Sequence, residues 1–389
     1  MSATAVVAVA IGAGSALAIQ HGTGSGSGPA AASTTALSSA QIASKTDPAL
    51  VDVTSTLGYQ QATAKGTGIV LSSDGLILTN NHVINGATSI TVTDIGNGKT
   101  YTASVVGYDE SHDIAVLRAS GASGLTVASF GDSGSVAVGS SVVALGNAEG
   151  LDGTPSIAPG TVVALNQAIT ASDESSGTSE QLSGLIESNA GIEPGDSGGP
   201  LVNDHGQIVG VDTAAESGYT FNGVGGGGNG FGGGSQGSGS QGGGSQGGGS
   251  QGGGSQGGGS AGTGSTTQGY TIPINQALSV AKQIEAGTEA GSVHIGATAF
   301  LGVGIDPSQG GLTQGVQIAS VTSGTAAESA GLTGGDVITS VAGHSVSASN
   351  SIEQVLTSYH PGDKVSISWT DTSGQSHTAT VTLGTGPAA

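Results

Sequence analysis

Cysteine is absent from this chain of 389 residues, which excludes disulfide staples, thiol nucleophiles and cysteine-ligated zinc centres. Stability has to come from packing. Basic residues are nearly as scarce: 6 Lys and Arg stand against 27 Asp and Glu, a net charge of −21. Contacts to a phosphate backbone need clustered Lys and Arg, so no nucleic-acid partner is expected. The acidity suits a soluble protein working outside the cytoplasm. No His-Glu-x-x-His segment occurs, and the carboxylates are dispersed rather than set at ligand spacing. Neither a metal nor any other cofactor is therefore expected.

Formal charge is also missing from the first 20 residues, and the first Lys, Arg, Asp or Glu is Lys45. Residues 3–19 are mostly Ala, Val, Ile, Leu and Gly. As a helix they would span about 26 Å, at the lower limit for a membrane crossing. Residues 1–20 are accordingly expected to form a hydrophobic helix that anchors the chain or directs its export. Residues 21–47, rich in Gly, Ser, Ala and Thr, read as a flexible linker.

What the chain has in abundance is glycine, 75 in all, and short apolar runs. From residue 48 onwards, runs such as Gly68-Ile69-Val70-Leu71, Ile114-Ala115-Val116-Leu117 and Ser141-Val142-Val143-Ala144-Leu145 are cut by Gly, Asn, Asp and Ser. Many short, β-branched strands at close spacing predict a mainly β fold, a barrel or sandwich. Residues 223–269 differ: Ser-Gln-Gly-Gly-Gly repeats from Ser240 to Gly259. So little apolar surface cannot offset the entropy of ordering, so this stretch is expected to be a disordered surface-loop expansion. Beyond it, Asn275 is expected to cap a helix with Ala277, Val280, Ala281 and Ile284 on one face, ended by Gly287. Asn350 is expected to cap a second helix, with Glu353 reaching back to its N–H.

The sharpest chemical signal is Gly195-Asp196-Ser197-Gly198-Gly199-Pro200. A nucleophilic serine must project from a tight turn, and flanking glycines give that turn its freedom. The same turn can aim the N–H groups of Gly195 and Ser197 at a developing oxyanion, donors worth ~2.7–4 kcal/mol each. A serine hydroxyl needs a base near neutral pKa, which means histidine. Of His21, His82, His112, His205, His294, His344, His360 and His377, only His82 follows a strand into a polar corner, in Leu78-Thr79-Asn80-Asn81-His82-Val83-Ile84. The other seven read as solvated surface histidines. The base in turn needs an orienting carboxylate. Asp113 opens the apolar run Ile114-Ala115-Val116-Leu117, where an unpaired carboxylate is costly to desolvate. Asp109 is the competing candidate, farther from that run and better suited to a turn.

Thr79-Asn80-Asn81-His82-Val83, His112-Asp113-Ile114-Ala115-Val116-Leu117 and Gly195-Asp196-Ser197-Gly198-Gly199, in that order, resemble the HtrA/Deg family of trypsin-like serine proteases. The resemblance implies a double six-stranded β-barrel protease domain over 48–286, a linker over 287–296 and a PDZ domain over 297–386. It implies His82 as general base, Asp113 as its orienter and Ser197 as nucleophile. Asp196 stands where many members have Asn. By the same resemblance, Ile192 and the strand containing Thr213, Ala214 and Ala215 line the substrate pocket, favouring small aliphatic residues before the cleaved bond, with Ile192 as plain core the alternative. Phe300-Leu301-Gly302-Val303 is similar to a PDZ carboxylate-binding loop, and Gly324-Thr325-Ala326-Ala327-Glu328-Ser329-Ala330-Gly331-Leu332 supports that match. Unfolded proteins or peptides are the substrates so implied, with peptide C-termini at the PDZ domain and trimers as the assembly. A PDZ-bearing chaperone or envelope scaffold with a latent protease domain is the weaker alternative, since every catalytic residue type is present.

Overall fold

Turn residues at short intervals leave β-branched runs no length in which to form helices, and strands dominate the computed structural model. It describes residues 36–147, 153–173, 178–215, 268–305, 315–347 and 349–388, and the elements below fall in the unit Leu37–Ala389. The expected helix at 1–20 and residues 223–267 of the Gly-rich tract lie outside the described residues.

The first helix, α1 (Ser39–Thr46), falls inside the expected flexible linker and corrects it. Ser38 and Gln41 form a capping box, and Ile42 and Ala43 are buried against the second barrel's core. Two satisfied N–H groups and an apolar face suffice to order a segment whose composition alone reads as linker.

Six strands follow: β1 (Leu50–Leu57), β2 (Ala62–Val70), β3 (Leu76–Thr79), β4 (Ser89–Asp94), β5 (Thr100–Asp109) and β6 (Ile114–Ala119). The order β5-β4-β1-β2-β3-β6 is closed by pairing of β5 with β6, so they form a ring. The short helix α2 (Asn81–Ile84) leaves the end of β3. Strands β7 (Ser141–Gly146), β8 (Ser156–Asp173), β9 (Thr178–Ser188), β10 (Pro200–Asn203), β11 (Ile208–Ala215) and β12 (Gly269–Pro273) form a second closed barrel. The double barrel expected from the sequence is therefore present. Gly269, expected as the last residue of the tract, is already paired with Ala215 and Ser188. A cluster containing Leu50, Ile69, Leu78, Ile114, Leu145, Val202 and Ile272 joins the two barrels. Each such side chain contributes about 1.5–3 kcal/mol by leaving water.

Helix α3 (Ile274–Glu285) buries Ala277, Val280, Ala281 and Ile284 as expected, and Gly287 follows it at φ +63°. Its cap is Pro273, not Asn275. Asn275 sits in the first turn instead, where its side-chain amide donates to Asp132 at 2.7 Å. Strand β13 (Val293–Ile295) pairs with β5, so the expected linker at 287–296 is partly a seventh strand of the first barrel. The last unit contains β14 (Ala299–Phe300), β15 (Val303–Ile305), β16 (Val316–Val321), α4 (Ala326–Ala330), β17 (Val337–Val341), β18 (His344–Ser345), α5 (Ser349–Leu356), β19 (Lys364–Thr370), β20 (Ser376–Thr382) and β21 (Gly384–Thr385). Its main sheet runs β15-β16-β17-β19-β20, leaving β15 at an edge. Because α5 begins at Ser349, Asn350 lies within its first turn rather than capping it.

Candidate active site

Three elements converge on one carboxylate. Asp113 ends a 3₁₀ turn in the left-handed conformation, at φ +51°, and opens β6 with its side chain buried. Helix α2 delivers His82, whose backbone N–H donates to Asp113 Oδ1 at 2.9 Å and whose Nδ1 lies 2.8 Å from Oδ2. A carboxylate there can only accept, so Nδ1 carries the proton and Nε2 keeps its lone pair. The Thr213 hydroxyl donates to the same Oδ2, and the Asn80 amide donates to the Asp113 carbonyl at 2.9 Å. His82 keeps 29% of its side chain exposed while Asp113 keeps 1%, the disposition of a reachable base on a hidden orienter. Asp109, the competing carboxylate, instead accepts from Ser111 and His112 at 2.8 and 2.7 Å and holds its own turn.

The Ser197 turn is clamped from below. Thr67 N–H donates to the Ser197 carbonyl, and Gly198 N–H donates to the Asp212 carbonyl, both at 2.8 Å. Gly198 has φ +84°, and a Cβ there would fall 2.0 Å from the Thr67 carbonyl, so no side chain fits. Ser197 Oγ lies 3.5 Å from the carbonyl of Thr213, the residue whose hydroxyl also contacts Asp113. Thr67 Oγ1 donates to the Gly195 carbonyl at 2.9 Å and accepts the Asn147 N–H at 2.8 Å. That fixes the Gly195 carbonyl against the Thr67 hydroxyl. Among the described residues, the N–H groups of Gly195 and Ser197 donate to no protein oxygen. Such a pair is suited to a developing oxyanion.

Two further carboxyls underlie the turn. Burial pushes Asp196 above its ordinary pKa, against the lowering effect of donors from Glu193 N–H and Ser156 Oγ. Burial pushes Asp212 well above its ordinary pKa, and proximity to Asp196 adds to the rise. Thr271 donates to Asp212 Oδ1, while Oδ2 has no partner.

The expected pocket residues separate. Ile192 is 1% exposed and packs with Val142, Val162, Ile186 and Leu201 in the second barrel's core, and a Cβ on Gly269 would strike its Cδ1. Its side chain is core here. Thr213 turns its hydroxyl onto the Asp113 carboxylate, at a ladder irregularity between Asp212 and Ala214. Ala214 and Ala215 pair with Tyr270 and Gly269 along β12. Thr67, Asn80 and Thr213 act on the site without having been singled out as its supports. A threonine between two glycines in an apolar strand, Gly66-Thr67-Gly68, was the available signal.

In the last unit Phe300, Leu301, Gly302 and Val303 line a pocket of about 260 Å³ together with Ile305, Ile352 and Leu356. Gly302 has φ +89°, and a Cβ there would fall 2.2 Å from Thr325. The pocket thus lies between edge strand β15 and helix α5, a geometry that admits an added strand. Phe300 also stacks on Tyr59 of the first barrel, with centroids 5.7 Å apart.

Two family models match the chain: a trypsin-like peptidase domain over residues 66–211 and a PDZ domain over 299–382. Serine protease PepD of Mycobacterium tuberculosis is 32% identical over 91% of this chain and 68% of its own length. A probable periplasmic serine protease do/HhoA-like from Haemophilus influenzae is 32% identical over 80% of this chain and 56% of its own length. Serine protease Do-like HtrA of Lactococcus lactis is 28% identical over 83% of this chain and 71% of its own length.

Proposed function

The chain belongs to the HtrA family of trypsin-like serine proteases with a PDZ domain, and on that premise we propose that His82, Asp113 and Ser197 are its working triad. It is a serine endopeptidase. The Ser197 hydroxyl attacks the scissile carbonyl while His82 Nε2 takes its proton, and the N–H groups of Gly195 and Ser197 receive the negative oxygen. His82 returns the proton to the leaving amine, which departs and leaves an acyl-enzyme. Water, deprotonated by the same imidazole, then cleaves the ester and restores Ser197. Asp113 keeps the imidazole in the tautomer that makes each transfer possible. The observation that carries this reading is the 2.8 Å contact between His82 Nδ1 and a buried carboxylate.

The substrates proposed are unfolded proteins, because an extended backbone is what can lie along β11. The pocket between β15 and α5 is proposed to receive a peptide's C-terminal carboxylate, with regulation of the protease as the result. An extracytoplasmic location is supported by the acidic composition and by a relative described as periplasmic. No helix among the described residues is long and apolar enough to cross a membrane. Anchoring through residues 1–20 and assembly into trimers remain proposals, tested by membrane fractionation and by sedimentation of the purified protein. For the protease reading, purified wild-type protein is expected to cleave unfolded casein, and the Ser197→Ala variant to lose that cleavage. Equal cleavage by the two would refute it.

A further inference from the structure

Two histidines read from the sequence as solvated surface residues meet at the seam between the first barrel and the PDZ unit. His294, on β13, is 5% exposed, which corrects that reading: β13 pairs with β5 and carries the ring under the PDZ unit. Its ring stacks on His360, with centroids 4.8 Å apart. His360 comes from the turn between α5 and β19, and Glu289 from the segment after α3. Glu289 Oε1 lies 2.8 Å from His360 Nε2 and 3.8 Å from His294 Nδ1. One ligating atom from each of the three residues falls within 4.8 Å of the other two.

The surroundings of His294 give the cluster its meaning. Nδ1 lies 2.9 Å from the Thr357 carbonyl and Nε2 lies 3.3 Å from the Ala297 carbonyl. A neutral imidazole has one N–H and one lone pair. Either tautomer therefore sets a nitrogen lone pair against a carbonyl oxygen in a buried place. A cation at Nδ1 removes the conflict when the Thr357 carbonyl, 2.9 Å from that nitrogen, joins its ligands, with Nε2–H donating to Ala297. A backbone carbonyl on the far ring nitrogen is how metal-bound imidazoles are held. Tetrahedral bonds of about 2.0–2.2 Å place ligand atoms about 3.3–3.6 Å apart, and the distances of 2.8 and 3.8 Å bracket that spacing. Glu289 Oε1 also accepts the Ile295 N–H at 3.0 Å and His360 Nε2 lies 3.1 Å from the Ile295 carbonyl, which holds both side chains beside the buried ring. A second proton on His294 is the competing occupant, and titration with zinc separates the two.

We propose that Glu289, His294 and His360 form a binding site for a divalent first-row cation of the zinc type, fastening the PDZ unit to the first barrel. Two imidazoles and a carboxylate suit zinc and its neighbours rather than magnesium or calcium. The ligands come from the inter-unit segment, from a strand of the barrel and from the PDZ unit. The ion therefore restrains the seam next to β5, the strand that leads into the Asp113 turn.

The test uses full-length protein freed of metal with chelator, titrated with zinc sulfate by calorimetry and by thermal unfolding. One Zn²⁺ per chain is expected, with a rise in Tm that saturates at the same ratio. His360→Ala and Glu289→Gln each remove contacts to the Ile295 backbone as well as a ligand, so the zinc-induced rise is read against each variant's own metal-free Tm, and each is expected to weaken binding at least ~10-fold. Cobalt is expected to give visible d–d bands of a four-coordinate site in the wild type and not in His360→Ala. Zinc binding that is equal in all three proteins would overturn the proposal. So would a Tm that rises on acidification with no response to zinc, which would assign the site to a proton.

Discussion

Asp113 receives donors from His82 N–H, His82 Nδ1–H and the Thr213 hydroxyl while its backbone carbonyl is held by Asn80. A carboxylate so buried and so partnered has one orientation, and through it the imidazole has one tautomer. Asp212 is the opposite case, fully buried with Oδ2 unpartnered and its pKa pushed well up by that burial. A raised folded-state pKa means its contribution is most favourable below the ordinary Asp value of about 3.9. That contribution is lost as pH rises through the raised value. Asp212→Asn carries no such loss, so its Tm relative to wild type is expected to climb between pH 4 and pH 8 in thermal unfolding scans. A difference that stays flat or falls with pH contradicts the assignment. Ser197 and His82 stood out as candidates because their local strings are distinctive. Asp113 was legible only beside the competing Asp109, because a single chain does not reveal which carboxylate the fold buries against the imidazole. Thr213 was placed in the pocket wall by family resemblance, and its contact with Asp113, beside the ladder irregularity between Asp212 and Ala214, leaves no mark in the sequence.

At the scale of elements, caps were the least legible feature. Asn275 and Asn350 are good capping residues by type, yet both helices begin before them, and at Asn275 the side chain donates to Asp132 instead. Helix α1 was hidden by the composition around it, although Ser38 and Gln41 carry its signature. The loop between β14 and β15 was legible, and it turns on Gly302. With φ +89° and Thr325 at 2.2 Å from any Cβ, Gly302→Ala forces the loop to move. A cost of about 1 kcal/mol or more is expected for a side chain at such a position. A fluorescent peptide with a free C-terminal carboxylate is expected to bind this variant about 10-fold more weakly by anisotropy. Unchanged affinity would show that the loop does not hold the carboxylate.

For the molecule as a whole, two closed barrels and a PDZ unit were legible because strand spacing and motif order are properties of the chain alone. The first barrel's seventh strand was not, since three residues, Val293–Ile295, have no pattern of their own and gain their conformation from β5. The Gly-rich tract enters and leaves the second barrel at paired residues, Ala215 and Gly269. A two-residue turn closes such a hairpin. Replacing residues 216–268 with Asn-Gly is therefore expected to keep Tm within about 4 °C of wild type. A much larger fall would make the tract part of the core structure. The central claim concerns one oxygen atom, Ser197 Oγ, activated by a base that Asp113 holds in place. It is tested most directly by treating purified protein with a fluorophosphonate probe and mapping the adduct by mass spectrometry. Stoichiometric labelling at Ser197, lost in His82→Ala, is the predicted result; an unlabelled wild type, or an adduct on any other serine, would contradict it.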